Sequence, residues 1–376
     1  MANEKKLGIY IHIPFCIKKC GYCDFCSFSG VHPAVKDDYV SILCLQIKEA
    51  REMTRGYTVD TVYFGGGTPT LLAPDQFERI FDALNDTFCI CKDAEITSEC
   101  NPATADREYF SFLRGLGINR LSIGVQSTDP GELKALGRVH GREDIFRSFE
   151  DARASGFENL SADLMFGIPG QTRGSFGKTL CEALTLGVSH ISAYGLILEP
   201  GTEFYKNREK LALPDEDTEY TMYKDAVGEL SAHGFKRYEI SNFAKPGFRS
   251  RHNSSYWHQT PYIGLGAAAH SFDIRSRQWN VANVDDYIKS IGKGIVPMER
   301  EQLSDSTRYD DLITTALRTS DGIDVDAVTE PYRSYMLRMA APYISRGLLT
   351  LSEGRLALSR QGIKVSDMVM ADMMYV

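Results

Sequence analysis

Short apolar, β-branched runs alternate with longer amphipathic stretches through the first half of the chain. The runs fall at Gly8–Ile13, Thr61–Phe64, Glu95–Glu99, Arg120–Val125, Leu160–Phe166 and His190–Leu198. Such runs read as strands buried on both faces. Between them, Ala34–Met53, Pro74–Leu84, Asp106–Leu116, Arg142–Ser155 and Gly174–Leu186 carry apolar residues at helical spacing. Ala73-Pro74-Asp75 and Ala105-Asp106 supply helix starts, and Gly115 and Gly117 punctuate a helix end. Strands that alternate with helices pair in parallel, because a parallel neighbour needs a crossover. Six units fall short of a closed eight-unit barrel. The pattern therefore predicts an α/β fold, a partial (β/α)6 barrel, with polar residues collected at the strand C-terminal ends.

The texture then changes. A helix is predicted over Glu216–Ser231, stopped by Gly234, and a strand over Arg237–Ser241. From Arg300 onward, helices at Ser304–Arg318 and Pro331–Arg346 precede a hairpin over Leu348–Ser359 that turns at Glu353-Gly354, and Gln361–Met373 forms a last helix. This divides the chain into a barrel (1–235), a connecting segment (236–299) and a small C-terminal α+β domain of winged-helix-like make-up (300–376). That last domain holds nine Lys/Arg against eleven Asp/Glu, so a packing or partner-docking role outweighs DNA binding.

Composition narrows the picture. The chain has 376 residues, is 43% hydrophobic and carries a net charge of −8, which argues against a general nucleic-acid binder. No apolar run approaches a membrane span, although peripheral membrane association stays open. Nine cysteines, an odd number, and a polar segment from Met1 to Leu7 suit a reducing, cytoplasmic setting rather than a disulfide framework.

Chemistry enters with three of those cysteines. Cys16, Cys20 and Cys23 share one loop directly after the first strand. Structural zinc takes four protein ligands, and His12 is the available fourth. A cubane iron–sulfur cluster takes one thiolate per iron, so three cysteines leave one iron open. The second reading is favoured. Gly65-Gly66-Gly67-Thr68 ends the second strand, and glycines there let backbone approach a ligand closely. Glu99, Gln126 and Asp163 recur at the ends of later strands, and Arg138 follows in a short helical segment where a carboxylate could pair with it. Acids can hold ribose hydroxyls or an amino group, and Arg and Gln can hold a carboxylate. That set of groups describes an amino-acid nucleoside.

Together with Tyr10-Ile11-His12-Ile13-Pro14-Phe15-Cys16, Gly124-Val125-Gln126-Ser127, Asp163–Gly170 and Tyr238–Gly247, these residues are similar to radical S-adenosylmethionine (SAM) proteins of the oxygen-independent coproporphyrinogen III oxidase group. The resemblance covers nearly the whole chain. It implies a [4Fe–4S] cluster on Cys16, Cys20 and Cys23, with SAM on the open iron. It implies SAM contacts at Tyr10, Gly66, Gly67, Thr68, Glu99, Gln126, Arg138 and Asp163. A reduced cluster in such proteins can cleave SAM to a radical, which calls for an electron donor.

Two features depart from the oxidases of the group. Phe25 stands where they carry a further cysteine, with Cys26 one residue late and read as an ordinary thiol, and only seven residues precede the first strand. The block His252-Asn253-Ser254-Ser255-Tyr256-Trp257 resembles a motif of the group's haem-chaperone members. It implies haem as cargo, handed to a respiratory haem-protein acceptor, with His252 as the candidate axial ligand. His258 and His270 are further candidates. The resemblance also leaves room for a homodimer. The competing expectation is an enzyme acting on a tetrapyrrole, either a coproporphyrinogen III oxidase or a haem-modifying enzyme.

Overall fold

The computed structural model describes residues 5–294 and 298–375. Six strands, β1 (Lys5–Ile13), β2 (Tyr57–Gly66), β3 (Ile90–Cys100), β4 (Arg120–Gln126), β5 (Asn159–Phe166) and β6 (His190–Gly195), lie side by side in chain order, all parallel. Helices α1 (Pro33–Glu49), α2 (Pro74–Thr87), α3 (Arg107–Leu116), α4 (Arg142–Ala154) and α5 (Arg173–Thr185) make the crossovers, and α6 (Glu216–Ala232) follows β6. The helix ends obey their local chemistry. Asp106 caps α3 by accepting from the Tyr109 amide at 2.9 Å, and Gly117 ends it in the left-handed region, φ +109°.

Strand alternation sorts the two faces. Ile9, Ile11, Val62, Phe64, Leu121, Ile123, Leu160, Ala162 and Leu164 are buried in the layer shared with the helices. The alternate positions Tyr10, Tyr63, Thr97, Glu99, Ser122, Asp163 and Ser192 form the inner face. Register brings them together: Tyr10 is opposite Tyr63, Tyr63 opposite Thr97, Glu99 opposite Ser122 and Asp163 opposite Ser192. The runs that read as uniformly apolar thus enclose a polar lumen.

The segment between barrel and C-terminal domain does more than connect them. Lys236–Glu239 and Asn242–Ala244 extend the sheet antiparallel beyond β6. On the opposite edge, β7 (Tyr262–Leu265) adds a seventh parallel strand against β1, and His270–Phe272, Ser276–Asn280 and Met298–Gln302 continue outward. Strands of three to five residues carry too little periodicity to stand out in the sequence. The predicted strand Arg237–Ser241 accordingly ends at Glu239, with Ile240 and Ser241 in a turn, and the predicted final helix opens with a 3-10 turn at Gly362–Val365 before Ser366–Met373.

The C-terminal domain has its own core, built on Tyr309, Ile313, Met336, Leu356 and Val369. It holds a three-stranded sheet and helices at Asp305–Ala316, Tyr332–Ser345 and Ser366–Met373, and its hairpin turns at Glu353-Gly354 as expected. Among the described residues no helix is long and apolar enough to cross a membrane.

Candidate functional site

The three-cysteine loop leaves the C-terminal end of β1 and is fastened on several sides. Phe15–Cys16 pairs in parallel with Phe28–Ser29, and the Phe28 amide donates to the Pro14 carbonyl at 2.7 Å. The Cys23 amide donates to the Cys20 carbonyl at 3.2 Å. Gly21 bonds through its carbonyl to the Phe204 amide at 2.9 Å, and a Cβ there would meet the Phe204 ring at 2.6 Å. All three thiols are free and partly exposed. His12 is not with them: its ring nitrogens face Tyr10 Oη at 3.0 Å and the Cys26 carbonyl at 2.8 Å. Among the described residues, no three His, Cys, Asp or Glu side chains converge on a single-ion site. A cubane spreads its thiolates over separate corners and needs no such convergence. Cys26, half-buried, donates to the Ala282 carbonyl at 3.3 Å, and Phe25 is 69% exposed.

Above this loop the strand ends supply a ring of polar groups. The glycine run folds back on the loop: the Gly67 amide donates to Ile13 O at 2.8 Å and the Thr68 amide to Phe15 O at 2.7 Å. A Cβ on Gly67 would lie 2.6 Å from Phe15 O, and Gly66 sits at φ +105° against the His12 ring, so both positions require glycine. Glu99 accepts from Tyr63 Oη at 2.8 Å and from the Gly66 amide at 3.2 Å. Burial raises its carboxyl to about 7, with the nearby Asp163 charge adding to the effect. Asp163 accepts from Ser122 Oγ at 3.0 Å and Ser161 Oγ at 3.3 Å, and burial raises it as well. Gln126 closes β4 at φ +63°, a conformation that L-residues hold only under constraint.

Arg138 does not pair with a carboxylate, as its chemistry suggested. It donates to the Gly124 carbonyl at 2.6 Å and to Asn101 Oδ1, reaches Cys20 Sγ at 3.7 Å, and leaves Nε buried without a partner. Asn101 in turn donates to Thr68 Oγ1 at 2.8 Å, and Thr68 Oγ1 lies 3.8 Å from Cys16 Sγ. An arc of polar groups, Cys16–Thr68–Asn101–Arg138–Cys20, therefore links two thiols across the mouth of the barrel. Sequence reading passed over Asn101 because it stands one residue past the strand end and carries no charge. The glycine cradle, the orphaned Arg138 Nε and the two raised acids all fit a zwitterionic nucleoside set against a thiolate-bound cluster.

His252 lies elsewhere. It sits in the helix Arg251–Trp257, 1% exposed, with Nδ1 on Thr61 Oγ1 and Nε2 on Tyr256 Oη, both at 2.8 Å. Its ring stacks on Tyr63 at 5.0 Å, and burial, with the charge of Arg120, lowers its pKa to about 3. Expected as an axial ligand, it offers iron no free nitrogen in this arrangement. Glu95, another residue the sequence reading missed, accepts from the amides of Arg251 and His252 at 3.0 Å each and so fixes the start of this helix. His258 is exposed, 3.4 Å from Asp321, and His270 stacks on Trp279 at 5.8 Å. Arg120, fully buried at the far end of the lumen, keeps Nε and Nη1 without hydrogen-bond partners.

Comparison with known proteins bears on the family and the fold. The radical SAM superfamily model matches residues 10–181, and the HemN C-terminal domain model matches 303–365. The haem chaperone HemW of Bacillus subtilis (strain 168) is 37% identical over 361 residues, covering 94% of this chain and 95% of that one. The haem chaperone HemW of Mycobacterium tuberculosis (strain ATCC 25618 / H37Rv) is 33% identical over 370 residues, covering 96% and 93%. Among solved structures, the coproporphyrinogen III oxidase HemN from Escherichia coli, a radical SAM enzyme, superposes with a TM-score of 0.86 at 24% identity, covering 99% of this chain and 90% of that chain. That likeness speaks for the fold alone.

Proposed function

The chain belongs to the HemW family of radical SAM proteins, and on that premise we propose that it is a haem carrier that holds a [4Fe–4S] cluster and SAM and passes haem to a haem-protein acceptor. The observation that carries the cofactor part is the polar arc joining Cys16 to Cys20 through Thr68, Asn101 and Arg138.

In this reading Cys16, Cys20 and Cys23 hold the cluster, which when bound supplies an electron at its open iron. The chain's own part is to bind and orient. Gly66 and Gly67 bring backbone against the amino-acid portion of SAM. Arg138, with an unused Nε, and Gln126 hold its carboxylate. Glu99 and Asp163 accept from its amino group and ribose hydroxyls, and Tyr10 and Thr68 line the same mouth. Ionising Glu99 costs least when a cation arrives, so its raised pKa suits a positively charged ligand.

The carrier reading is favoured over a tetrapyrrole oxidase by Phe25, which stands exposed where the oxidases of the group carry cysteine. The test is anaerobic. Reconstituted protein is titrated with haem by absorbance, then incubated with coproporphyrinogen III, SAM and reductant. Saturable haem binding with coproporphyrinogen III left intact is expected. Accumulating protoporphyrinogen would replace this reading with the enzymatic one. Haem acceptor, electron donor, homodimer formation and membrane-surface association belong to the same proposal, and pull-down from a membrane fraction in the presence of haem tests the acceptor.

A further inference from the structure

Toward the N-terminal end of β5, a row of buried polar groups runs from Asp163 across two further strands. Ser161 stands two residues before Asp163, hence on the same face, and donates to Asp163 Oδ1 at 3.3 Å. Its register partner on β6 is His190, whose Nδ1 lies 2.7 Å from Ser161 Oγ. His190 Nε2 lies 2.8 Å from Tyr238 Oη, on the strand Lys236–Glu239. Tyr238 Oη accepts in turn from the Ser250 amide at 3.3 Å. Ser161, His190, Tyr238 and Ser250 are all buried.

The two ends of this row fix the direction of every hydrogen bond in it. A backbone amide can only donate, and an ionised carboxylate can only accept. Tyr238 therefore receives from Ser250, and its own hydrogen is free for His190 Nε2. Burial and the charge of Arg120 push the imidazole pKa well below the ordinary value, so the ring is neutral and holds one N–H. With Nε2 accepting, that hydrogen is on Nδ1 and points at Ser161 Oγ. Ser161 then has its hydrogen for Asp163 alone. The opposite tautomer breaks the row twice. It denies the Tyr238 hydrogen its acceptor, and it draws the Ser161 hydrogen away from Asp163. A buried donor left unmet is costly, so the first arrangement prevails. Ser122 Oγ at 3.0 Å and Ser192 complete the hydroxyls on this carboxylate. Hydrogen bonds to the charged form oppose the effect of burial and leave the remaining lone pairs to face a ligand.

We propose that His190 is a positioning residue for Asp163: through Ser161 it holds the carboxylate as an acceptor aimed at SAM, with Tyr238 and the Ser250 amide fixing its tautomer. The proposal rests on the reading of Asp163 as a SAM contact. It adds a group whose two ring nitrogens are both engaged inside the protein.

The test measures SAM affinity of the reconstituted, full-length protein by anaerobic equilibrium dialysis. His190→Asn keeps a side-chain amide at the Nδ1 position, beside Ser161. His190→Gln moves it out to the Nε2 position, beside Tyr238. His190→Asn is expected to bind SAM within about threefold of wild type, and His190→Gln about tenfold more weakly, the loss of one hydrogen bond to a charged group. Ser161→Ala is expected to match His190→Gln, and the double variant to be no weaker than either, since both act through one bond. Equal losses in the Asn and Gln variants, additive losses in the double, or wild-type affinity in His190→Gln would each overturn the proposal and leave His190 a packing residue. Should the buried substitutions unfold, nitrogen NMR of histidine-labelled wild-type protein still decides. A ring proton on Nδ1 is expected, and one on Nε2 overturns the proposal. A wild type that binds no SAM overturns instead the reading of Asp163, whichever tautomer His190 shows.

Discussion

Among single residues, Glu99 and Asn101 decide most about the mouth of the barrel. Glu99 titrates near 7 in the folded chain because it is buried, whereas an unfolded glutamate titrates near 4.3. The raised folded value means that this group's contribution is fully present below the unfolded pKa and is lost as pH rises through about 7. Wild-type protein without cofactors should therefore lose stability relative to Glu99→Gln between pH 5 and 8, by about 1–3 kcal/mol. Urea unfolding of both proteins at the two pH values measures the gap, and a constant gap would contradict the burial argument. His252 acts with opposite sign. Its depressed pKa gives stability above about 6.5 that is lost as pH falls toward 3, so it drives acid unfolding instead. Asn101 is the keystone of the arc between Thr68 and Arg138. Asn101→Leu removes both hydrogen bonds and should lower SAM affinity about tenfold or more while three thiols still take up iron. Equilibrium binding of SAM alongside an iron assay separates the two effects.

At the level of elements, the helix Arg251–Trp257 is held by a carboxylate from a strand it does not follow. Glu95 of β3 accepts two of its first amides, and Ser250 Oγ accepts from the Asn253 amide at 3.3 Å. Glu95→Ala leaves buried N–H groups unmet and should cost about 2–4 kcal/mol, read as a shift in the urea midpoint. Gly67→Ala places a methyl into the Phe15 carbonyl and should abolish the broad visible absorbance of the reconstituted cluster, with the fold kept by circular dichroism. These elements differ in how openly the sequence announces them. The six barrel strands are legible because their outward residues make unbroken apolar runs. Glu99 and Gln126 are legible because each closes such a run, and Asp163 because it interrupts one. The strand Tyr262–Leu265 is not, since four residues with Gly264 among them look like any turn. The partners of Arg138 were invisible too: a carbonyl and an amide side chain from other elements leave no mark on charge or spacing. His252 shows the remaining gap. A motif tells which residues travel together, but only packing tells that this imidazole has both nitrogens engaged.

Across the whole molecule, one buried carboxylate ties the C-terminal domain to the barrel sheet. Glu239, 1% exposed, accepts from Arg318 Nη2 at 2.8 Å, Asn242 Nδ2 at 2.6 Å and the Ser241 amide at 2.8 Å. Arg318 also lies over the Trp257 ring at 5.2 Å. Glu239→Ala strands the arginine and the two amides, at a cost of about 3–5 kcal/mol. Calorimetry should then resolve two transitions where the wild type shows one cooperative event. The sheet itself has a temporal side. β1, the strand that launches the cluster loop, pairs residues 8–11 with 262–265. On a growing chain its outer edge stays unpaired until those last residues have been made, so the first strand synthesised is among the last to be completed. An open strand edge invites wrong partners during that interval. The strand that carries the loop of Cys16, Cys20 and Cys23 is therefore closed on that side only once residue 265 has been made.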